Sequence, residues 1–256
     1  MSGDAERLLA LIEEARAVAG FTGAGISTES GVPDYRSPGS PWRRGPAVAP
    51  EQFLHDPEVR AQVWRRKFAM DDLYRGARPN RGHLALAALV GRGRMPAVIT
   101  QNIDGLHQAS GIPDARVFEL HGNATYARCL ACAARAELGP IRAHLERTGE
   151  PPACEACGGV LRTATVAFGQ RVPEAALRAS ARLAAACDLF LVVGSSLVVR
   201  PAASLPVLAK RNGARLAILN RDPTPLDALA DLVVRAEIGA VLGPLVAENP
   251  HPLTNG

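Results

Sequence analysis

Two pairs of cysteines have the spacing of a zinc site. Cys129 and Cys132 form one Cys-x-x-Cys pair, and Cys154 and Cys157 form a second. Each pair can present two thiolates on one tight turn, and four thiolates suit tetrahedral Zn²⁺. They leave no coordination position open, so we expect a structural zinc ion that folds a small module. The alternative, four unrelated buried cysteines, is disfavoured by the paired spacing.

A glycine turn near the N-terminus could bind the phosphates of a dinucleotide. Gly23-Ala24-Gly25 follow the apolar stretch Val18–Thr22, which predicts a strand, and precede a predicted helix. Glycine lets the backbone approach a pyrophosphate, and free N–H groups at a helix start bind anions. Thr28 stands at the third glycine position of GxGxxG, so the dehydrogenase fingerprint is not met. Taken alone, the segment could equally be a plain glycine turn.

Polar residues follow several further apolar stretches that predict buried strands. These strands are predicted at Pro96–Thr100, Leu189–Val193, Arg215–Leu219 and Asp231–Val234. The residues that follow the first three are Gln101-Asn102-Ile103-Asp104, Gly194-Ser195-Ser196 and Asn220-Arg221. In open α/β sheets, ligands bind at the carboxyl ends of the strands. These segments are therefore expected to line one crevice.

The order of the predicted elements indicates an α/β fold with a doubly wound parallel sheet. Helices are predicted at Asp4–Val18, Pro57–Leu73 and Leu84–Val90, between the strands. From Cys129 to Arg162 we expect no strand–helix unit, only a short helix near Pro140–Arg147. The predicted parts are a discontinuous Rossmann-like domain (1–37, 81–125 and 164–248), a loop and helical insertion (38–80), a zinc-binding module (126–163) and a tail (249–256).

The bulk composition is that of a globular enzyme. The formal charge of +4 is spread along the chain, and aromatic residues make up 4%, which disfavours nucleic-acid binding. The N-terminus has no uninterrupted apolar region of the kind found in signal peptides, and Leu189–Val193 is too short to span a bilayer. We expect a cytoplasmic protein without membrane partners, in which cysteines serve metal binding or catalysis rather than disulfides.

Seven short motifs occur in one order along the chain. They are Gly23-Ala-Gly-Ile-Ser27, Ser30-Gly-Val-Pro-Asp-Tyr-Arg36, Thr100-Gln-Asn-Ile-Asp-Gly-Leu-His107, Glu119-Leu-His-Gly122, the four cysteines, Phe168-Gly169 and Gly194-Ser-Ser-Leu197. Together they resemble the sirtuin family of NAD-dependent protein deacylases, in its bacterial form. The resemblance extends from about Ala15 to Leu242. It implies an enzyme that transfers the acyl group of a modified lysine to ADP-ribose and releases nicotinamide.

The resemblance implies that NAD is bound as a co-substrate at the predicted crevice. The residues assigned to it are Gly23, Ala24, Gly25, Ser27, Val32, Pro33, Asp34, Tyr35, Arg36, Gln101, Asn102, Ile103, Asp104, Gly194, Ser195, Ser196, Asn220, Arg221 and Ile238. Gln101 and Asn102 can hydrogen-bond ribose hydroxyls and a positioned water, and Asp104 can accept from the nicotinamide amide. Tyr35 stands where the family usually has Phe.

The same resemblance assigns the catalytic set His121, Asn102 and Asp104. Imidazole titrates near neutrality, so His121 can take a proton from a ribose hydroxyl as general base. A histidine taken alone is more often structural than catalytic, and the Glu-Leu-His-Gly motif singles this one out.

Acyl-lysine proteins are the expected partners. The substrate backbone would add as a strand between the segment of Val166, Phe168 and Gly169 and the segment of Val198. In that region Thr163-Ala164 and Gln170 replace residues usual in the family, which puts the substrate range in question. Where one sirtuin branch reads acidic acyl groups with Tyr and Arg, this chain has Trp64 and Lys67. Since lysine lacks the two-pronged geometry of arginine, we favour acetyl or another uncharged acyl group.

Two other functions stay open at this stage. One is an NAD-dependent protein mono-ADP-ribosyltransferase, which would use the same cofactor chemistry on a protein side chain. The other is a non-catalytic module that binds NAD and zinc. The intact set of His121, Asn102 and Asp104 disfavours the second.

Overall fold

The computed structural model describes residues 3–43, 48–167 and 169–247. Its strands are β1 (Val18–Thr22), β2 (Val98–Thr100), β3 (Val117–Glu119), β4 (Gly122–Cys129), β5 (Arg135–Glu137), β6 (Leu161–Thr165), β7 (Leu189–Val193), β8 (Arg215–Leu219) and β9 (Leu232–Val234). Six of them form a parallel sheet in the order β3-β2-β1-β7-β8-β9, and three form an antiparallel sheet in the order β5-β4-β6.

The helices cover both faces of the parallel sheet. They are α1 (Gly3–Glu14), α2 (Pro50–His55), α3 (Pro57–Leu73), α4 (Arg81–Gly91), α5 (Leu106–Ala109), α6 (Leu138–Thr148), α7 (Glu174–Ala186), α8 (Leu205–Arg211), α9 (Ile238–Leu242) and α10 (Pro244–Ala247). One core cluster includes residues of α1, α4 and α9, and another includes residues of α7 and α8. This arrangement confirms the predicted doubly wound α/β fold. Among the described helices, none is long and apolar enough to cross a membrane.

The alternation of side chains along the central strands explains why both faces are buried. In β7, Leu189 and Leu191 pack in the cluster with α1 and α4, whereas Phe190 and Val192 pack in the cluster with α7 and α8. Successive side chains of a strand point to opposite faces, so a strand covered on both sides is apolar throughout. β7 therefore has the bounds, Leu189–Val193, that its apolar sequence predicted.

A third core cluster joins the helical insertion to the cysteine-rich region. Trp64 and Phe68 of α3 lie in it, together with Ala127 of β4, Ile141 of α6 and Leu161 of β6. The two rings of α3 stack with their centroids 5.5 Å apart. The insertion and the cysteine-rich region thus bury one common core, although the domain bounds drawn from the sequence treat them as separate parts.

Three expectations about elements were wrong. The region from Cys129 to Arg162 contains β5 as well as α6, and it reaches the first residues of β6. Helix α1 ends at Glu14, before the predicted end at Val18. The predicted helix after Gly23 is a 3₁₀ helix, Ala24–Ser30. In this segment the Thr28 hydroxyl donates to the carbonyl of Gly25, and such bonds from short polar side chains compete with an α-helical ladder.

The turns after β1 and β7 touch through their backbones. The amide of Gly23 donates to the carbonyl of Val193, and that of Gly25 donates to the carbonyl of Gly194 at 2.8 Å. A Cβ on Gly25 would lie 2.8 Å from the Cα of Gly194. Gly194 has φ +66°, and a Cβ there would fall against the backbone nitrogen of Ile26. Only glycine fits this contact.

We predict that Gly194→Ala lowers the free energy of unfolding by more than about 3 kcal/mol, because the methyl group must push two turns apart. Gly213→Ala is the matched control, since Gly213 also has positive φ (+89°) and a Cβ there meets nothing within 4 Å. The control should cost only about 1–2 kcal/mol of left-handed strain. Urea unfolding of both variants measures the difference, and equal losses would contradict the contact.

Candidate functional site

The carboxyl ends of β2, β1 and β7 bring three predicted segments together. Thr22 at the end of β1 pairs with Thr100 of β2 on one side and with Val193 of β7 on the other. The residues that follow therefore meet at one edge. The Ser195 hydroxyl donates to Oε1 of Gln101 at 2.7 Å, which links the segment after β7 to the segment after β2.

Ser27 connects the first glycine turn to two predicted catalytic residues. Its hydroxyl donates to Oδ2 of Asp104 at 2.7 Å and accepts from Nδ2 of Asn102 at 3.1 Å. Asp104 also accepts the amide of Leu106 at 3.0 Å, which fixes its carboxylate. Ser27 and Asn102 are buried. Buried and mutually bonded polar groups hold one set of rotamers, so this trio is preorganised.

His121 has one ring nitrogen engaged by the backbone. Nδ1 lies 3.0 Å from the carbonyl oxygen of Gln101. A carbonyl only accepts, so Nδ1 carries the proton and the neutral ring keeps its basic lone pair on Nε2. Burial lowers the pKa of His121 below its usual value, and the bond to Gln101 opposes this effect. His121 is therefore a neutral base at physiological pH.

Two buried histidines beneath this trio were not among the predicted site residues. The rings of His83 and His107 lie 5.1 Å apart. Nε2 of His83 lies 3.4 Å from Oγ of Ser27, and Nε2 of His107 lies 2.8 Å from the hydroxyl of Thr22. Burial lowers the pKa of both imidazoles, that of His107 to about 3. The sequence signal was the Asn80-x-x-His83 capping pattern, in which His83 Nδ1 lies 3.1 Å from Oδ1 of Asn80.

The loop after the 3₁₀ helix turns back onto the segment after β7. Nε of Arg36 donates to the hydroxyl of Ser196 at 3.0 Å. Asp34 accepts from the amides of Arg36 and Ser37. Burial raises the pKa of Asp34, but the bonds from Ser37 and Arg36 outweigh it, so the pKa lies below its ordinary value.

The other predicted cofactor residues of this loop differ in exposure. Val32 is buried, whereas Tyr35 is 41% exposed. The Pro33 carbonyl accepts the indole N–H of Trp42 at 2.6 Å.

The predicted residues for the second half of NAD lie at the ends of β8 and beyond β9. Asn220 follows β8, and its side-chain amide donates to the carbonyl of Asp222 at 2.7 Å. The neighbouring Arg221 is exposed, and its charge contributes to the low pKa of Asp34. Ile238 is buried in the core cluster of α1 and α4, beside Gly82. Their contacts with the cofactor stay predictions.

A cavity of about 290 Å³ lies beside the trio. Val32, Ile103 and Asp104 line one part of it, and Lys67 of α3 lines another. The Lys67 ammonium bonds both carboxylate oxygens of Asp71, so its charge is already compensated. Trp64, which we aligned with the acyl-reading position, is buried in the third core cluster. Neither side chain offers a free charge to a carboxylated acyl group.

The predicted substrate segment is hydrogen-bonded to His121, the predicted general base. The amide of Val166 donates to the carbonyl of His121 at 2.9 Å. Gln170 closes a turn, because its Oε1 accepts from the amide of Ala167 at 2.9 Å. Gly169 has φ +83° within that turn. Val198 is 51% exposed. Phe168, the remaining predicted substrate contact, lies outside the described residues.

The four cysteines of the predicted zinc site form one cluster. Their sulfur atoms all lie within 4.8 Å of one another, with Cys129 and Cys157 at 3.5 Å and Cys132 and Cys154 at 3.8 Å. A disulfide would need about 2.0 Å. Tetrahedral zinc with bonds of about 2.3 Å places its sulfurs about 3.8 Å apart, so the cluster fits this ion. A Cβ on Gly159 would lie 2.8 Å from the sulfur of Cys129, so the turn that follows the second cysteine pair needs that glycine.

Comparison with known proteins identifies the family. The Sir2 family model matches residues 23–201. An NAD-dependent protein deacetylase of Rhodopseudomonas palustris is 52% identical over 96% of this chain and 97% of its own length. A solved Sir2 complex with a p53 peptide and NAD⁺ has 36% identity and a TM-score of 0.79, covering 95% of this chain and 97% of that one. Another, with a deacetylated p53 peptide and 3'-O-acetyl ADP ribose, has 35% identity and a TM-score of 0.81, covering 96% and 98%. The chain belongs to the Sir2 family, as its motifs indicated.

We predict that the protein loses stability as the pH falls below 6.5. A buried neutral imidazole with a lowered pKa resists protonation, so its stabilisation is present above the unfolded pKa of 6.5 and is lost down to about pH 3. Each such histidine adds a slope of up to about 1.4 kcal/mol per pH unit. In urea titrations, His107→Gln should flatten the slope, whereas the exposed His55→Gln should not. A slope unchanged in His107→Gln would contradict the assignment.

We predict that Cys154→Ser loses bound zinc and destabilises the cysteine-rich region, because three thiolates and a hydroxyl hold the ion far less tightly. Zinc released by denaturation, measured with a chromogenic chelator, should fall from about one ion per chain towards zero. Cys187→Ser, outside the cluster, is the matched control and should keep its zinc. A Cys154→Ser protein with normal zinc and stability would show that the four-thiolate site is wrong.

Proposed function

We propose that this chain is an NAD-dependent protein-lysine deacylase that acts on acetyl-lysine or another uncharged acyl-lysine. The observation that carries the proposal is the convergence of the Ser27–Asn102–Asp104 trio and His121 on one sheet edge. The deacetylase activity stated for the Rhodopseudomonas palustris relative supports it. So does the acetylated ADP-ribose in the related Sir2 structure, which is the product expected of acyl transfer to ADP-ribose.

The residues at this edge fit a bound dinucleotide. Arg36 and the hydroxyl of Ser196 provide donors near the glycine turn, where phosphates would be held, whereas the Ser195 hydroxyl already donates to Gln101. We assign the Asn102 amide to a ribose and the cavity lined by Asp104 and Ile103 to the nicotinamide. When bound, NAD supplies the ADP-ribose that receives the acyl group and the nicotinamide that leaves.

His121 is proposed to act as the general base. The bond from Nδ1 to the Gln101 carbonyl orients the ring and leaves Nε2 to accept a proton from a ribose hydroxyl. The Val166 amide bonds the His121 carbonyl, so the predicted peptide channel runs directly beside the base. The bond to Ser27 orients Asn102, and the buried His83 and His107 beneath stay neutral because burial lowers the pKa of both.

The uncharged acyl preference is proposed from the Lys67–Asp71 pair. A succinyl carboxylate would have to displace Asp71 from the ammonium, and it would approach the Asp71 charge in a partly buried cavity. An acetyl group meets neither obstacle. The cytoplasmic location expected from the sequence stays a prediction.

We predict that His121→Ala lowers the rate of NAD-dependent peptide deacetylation by about 100-fold or more, because a positioned base contributes that much. Zinc content and urea unfolding should stay near wild type, which separates catalysis from folding. His55→Ala is the control and should keep full activity. The assay reads O-acetyl-ADP-ribose and deacetylated peptide by mass.

Two outcomes of this assay would count against the proposal. Retained deacetylation in His121→Ala would remove His121 from its role. ADP-ribose attached to protein, without any deacetylated peptide, would assign the chain to the mono-ADP-ribosyltransferases.

A further inference from the structure

Three arginines lie side by side across the antiparallel sheet. Arg128 in the central strand β4 pairs with Arg135 of β5 on one side and with Arg162 of β6 on the other. Residues in register on neighbouring strands project to the same face at a spacing of about 4.8 Å. The three positions, which we name the arginine row, therefore span about 10 Å across one face of this sheet.

The charges of the arginine row are poorly compensated. Arg135 pairs with Glu137 at 3.1 Å, and that pair is exposed. Among the described residues, no carboxylate lies within 4.0 Å of Arg128 or Arg162. Like charges directly opposite each other destabilise a sheet. The sheet thus carries a repulsion that an external anion would relieve.

Aromatic rings hold the three guanidinium groups in place. Arg135 lies 4.1 Å and Arg128 lies 5.7 Å from the ring centre of Tyr126. Arg162 lies 5.7 Å from the ring centre of Phe53, and burial lowers its pKa. Stacking on a ring restrains a long side chain that would otherwise be mobile, so less entropy is lost when an anion binds.

The arginine row lies on the strand that leads to the predicted peptide channel. β6 continues from Arg162 to Thr165, and the next residue, Val166, bonds the His121 carbonyl. At about 3.3 Å per residue, Arg162 lies about 13 Å from Val166. A peptide whose acyl-lysine is at the catalytic edge could reach the row with residues about four positions away.

We propose that the arginine row binds an acidic stretch of the acylated protein substrate, flanking the modified lysine. This inference rests on the proposed deacylase function and adds a substrate class to it. The planar guanidinium group of arginine binds a carboxylate in a bidentate geometry, through two parallel N–H···O hydrogen bonds. A nucleic-acid backbone fits less well, because the row is short, Glu137 stands at its end, and the Tyr126 face is already covered by arginine.

The test uses the full-length protein and three acetyl-lysine peptides of equal length. In the first peptide, four Asp or Glu residues begin four positions from the acetyl-lysine, on either side of it. The second peptide carries Gln at these positions, and the third carries Arg. At low salt we expect the acidic peptide to have a KM about five-fold below that of the Gln peptide, since two or three exposed ion pairs contribute about 1 kcal/mol together. The difference should shrink at high salt.

The variant Arg128→Gln/Arg162→Gln should abolish this preference and leave kcat and the KM of the Gln peptide unchanged. Arg182→Gln/Arg211→Gln, which removes two exposed arginines of α7 and α8, is the matched control and should keep the preference. Arg128→Glu should invert it towards the Arg peptide, which guards against a loss caused only by misfolding.

Anisotropy of a fluorescent acidic peptide without an acetyl group measures the row independently of activity. Failure of all three peptides to react would contradict the proposed function. The anisotropy measurement would still show whether the arginine row binds an acidic peptide. Equal affinity of the acidic peptide for wild type and the Arg128→Gln/Arg162→Gln variant overturns the inference. Binding of duplex DNA that the variant loses, without any peptide preference, would also overturn it and assign the row to nucleic acid.

Discussion

The contact between two backbone turns determines where the polar groups of the site lie. Gly25 bonds Gly194 directly, and neither position leaves room for a side chain. Because β1 and β7 are adjacent and parallel, this contact fixes the start of the 3₁₀ helix that carries Ser27. Ser27 in turn bonds Asn102 and Asp104 from the neighbouring strand end. The preorganisation of the site therefore depends on close backbone packing as much as on the polar side chains themselves.

The cysteine-rich region shows how a metal site outside the candidate active site can affect that site. Cys129 and Cys154 lie in the same apolar cluster as Trp64 and Phe68, the rings that anchor α3. Helix α3 also carries Lys67, which faces the cavity beside Asp104. Arg142 of α6 adds a two-pronged ion pair to Asp72 of α3. Because the cysteine-rich region and helix α3 share one core, the position of the cavity wall depends on the folding of the cysteine-rich region.

The sequence specified the fold and the site unequally. Strands such as Leu189–Val193 could be predicted, because burial on both faces requires unbroken apolar runs. β5 could not, since Arg135–Glu137 has only three residues and a single small apolar side chain, Ala136, on the face that packs against the core. The glycine turn was located correctly, but we expected its amides to be free for phosphate, and Gly23 and Gly25 use theirs on β7 and the turn that follows it. Such tertiary contacts leave no local pattern in a sequence.

The positive charge of this protein resides almost wholly on arginine. The chain contains two lysines, Lys67 and Lys210, and each ammonium is held by both oxygens of a carboxylate, Asp71 and Asp231 respectively. Guanidinium groups stay protonated in proteins and do not take up acyl groups as free amines do. An enzyme that removes acyl groups from lysine thus presents very few amines of its own for the same modification. Its own copies would rarely compete with other proteins for the active site.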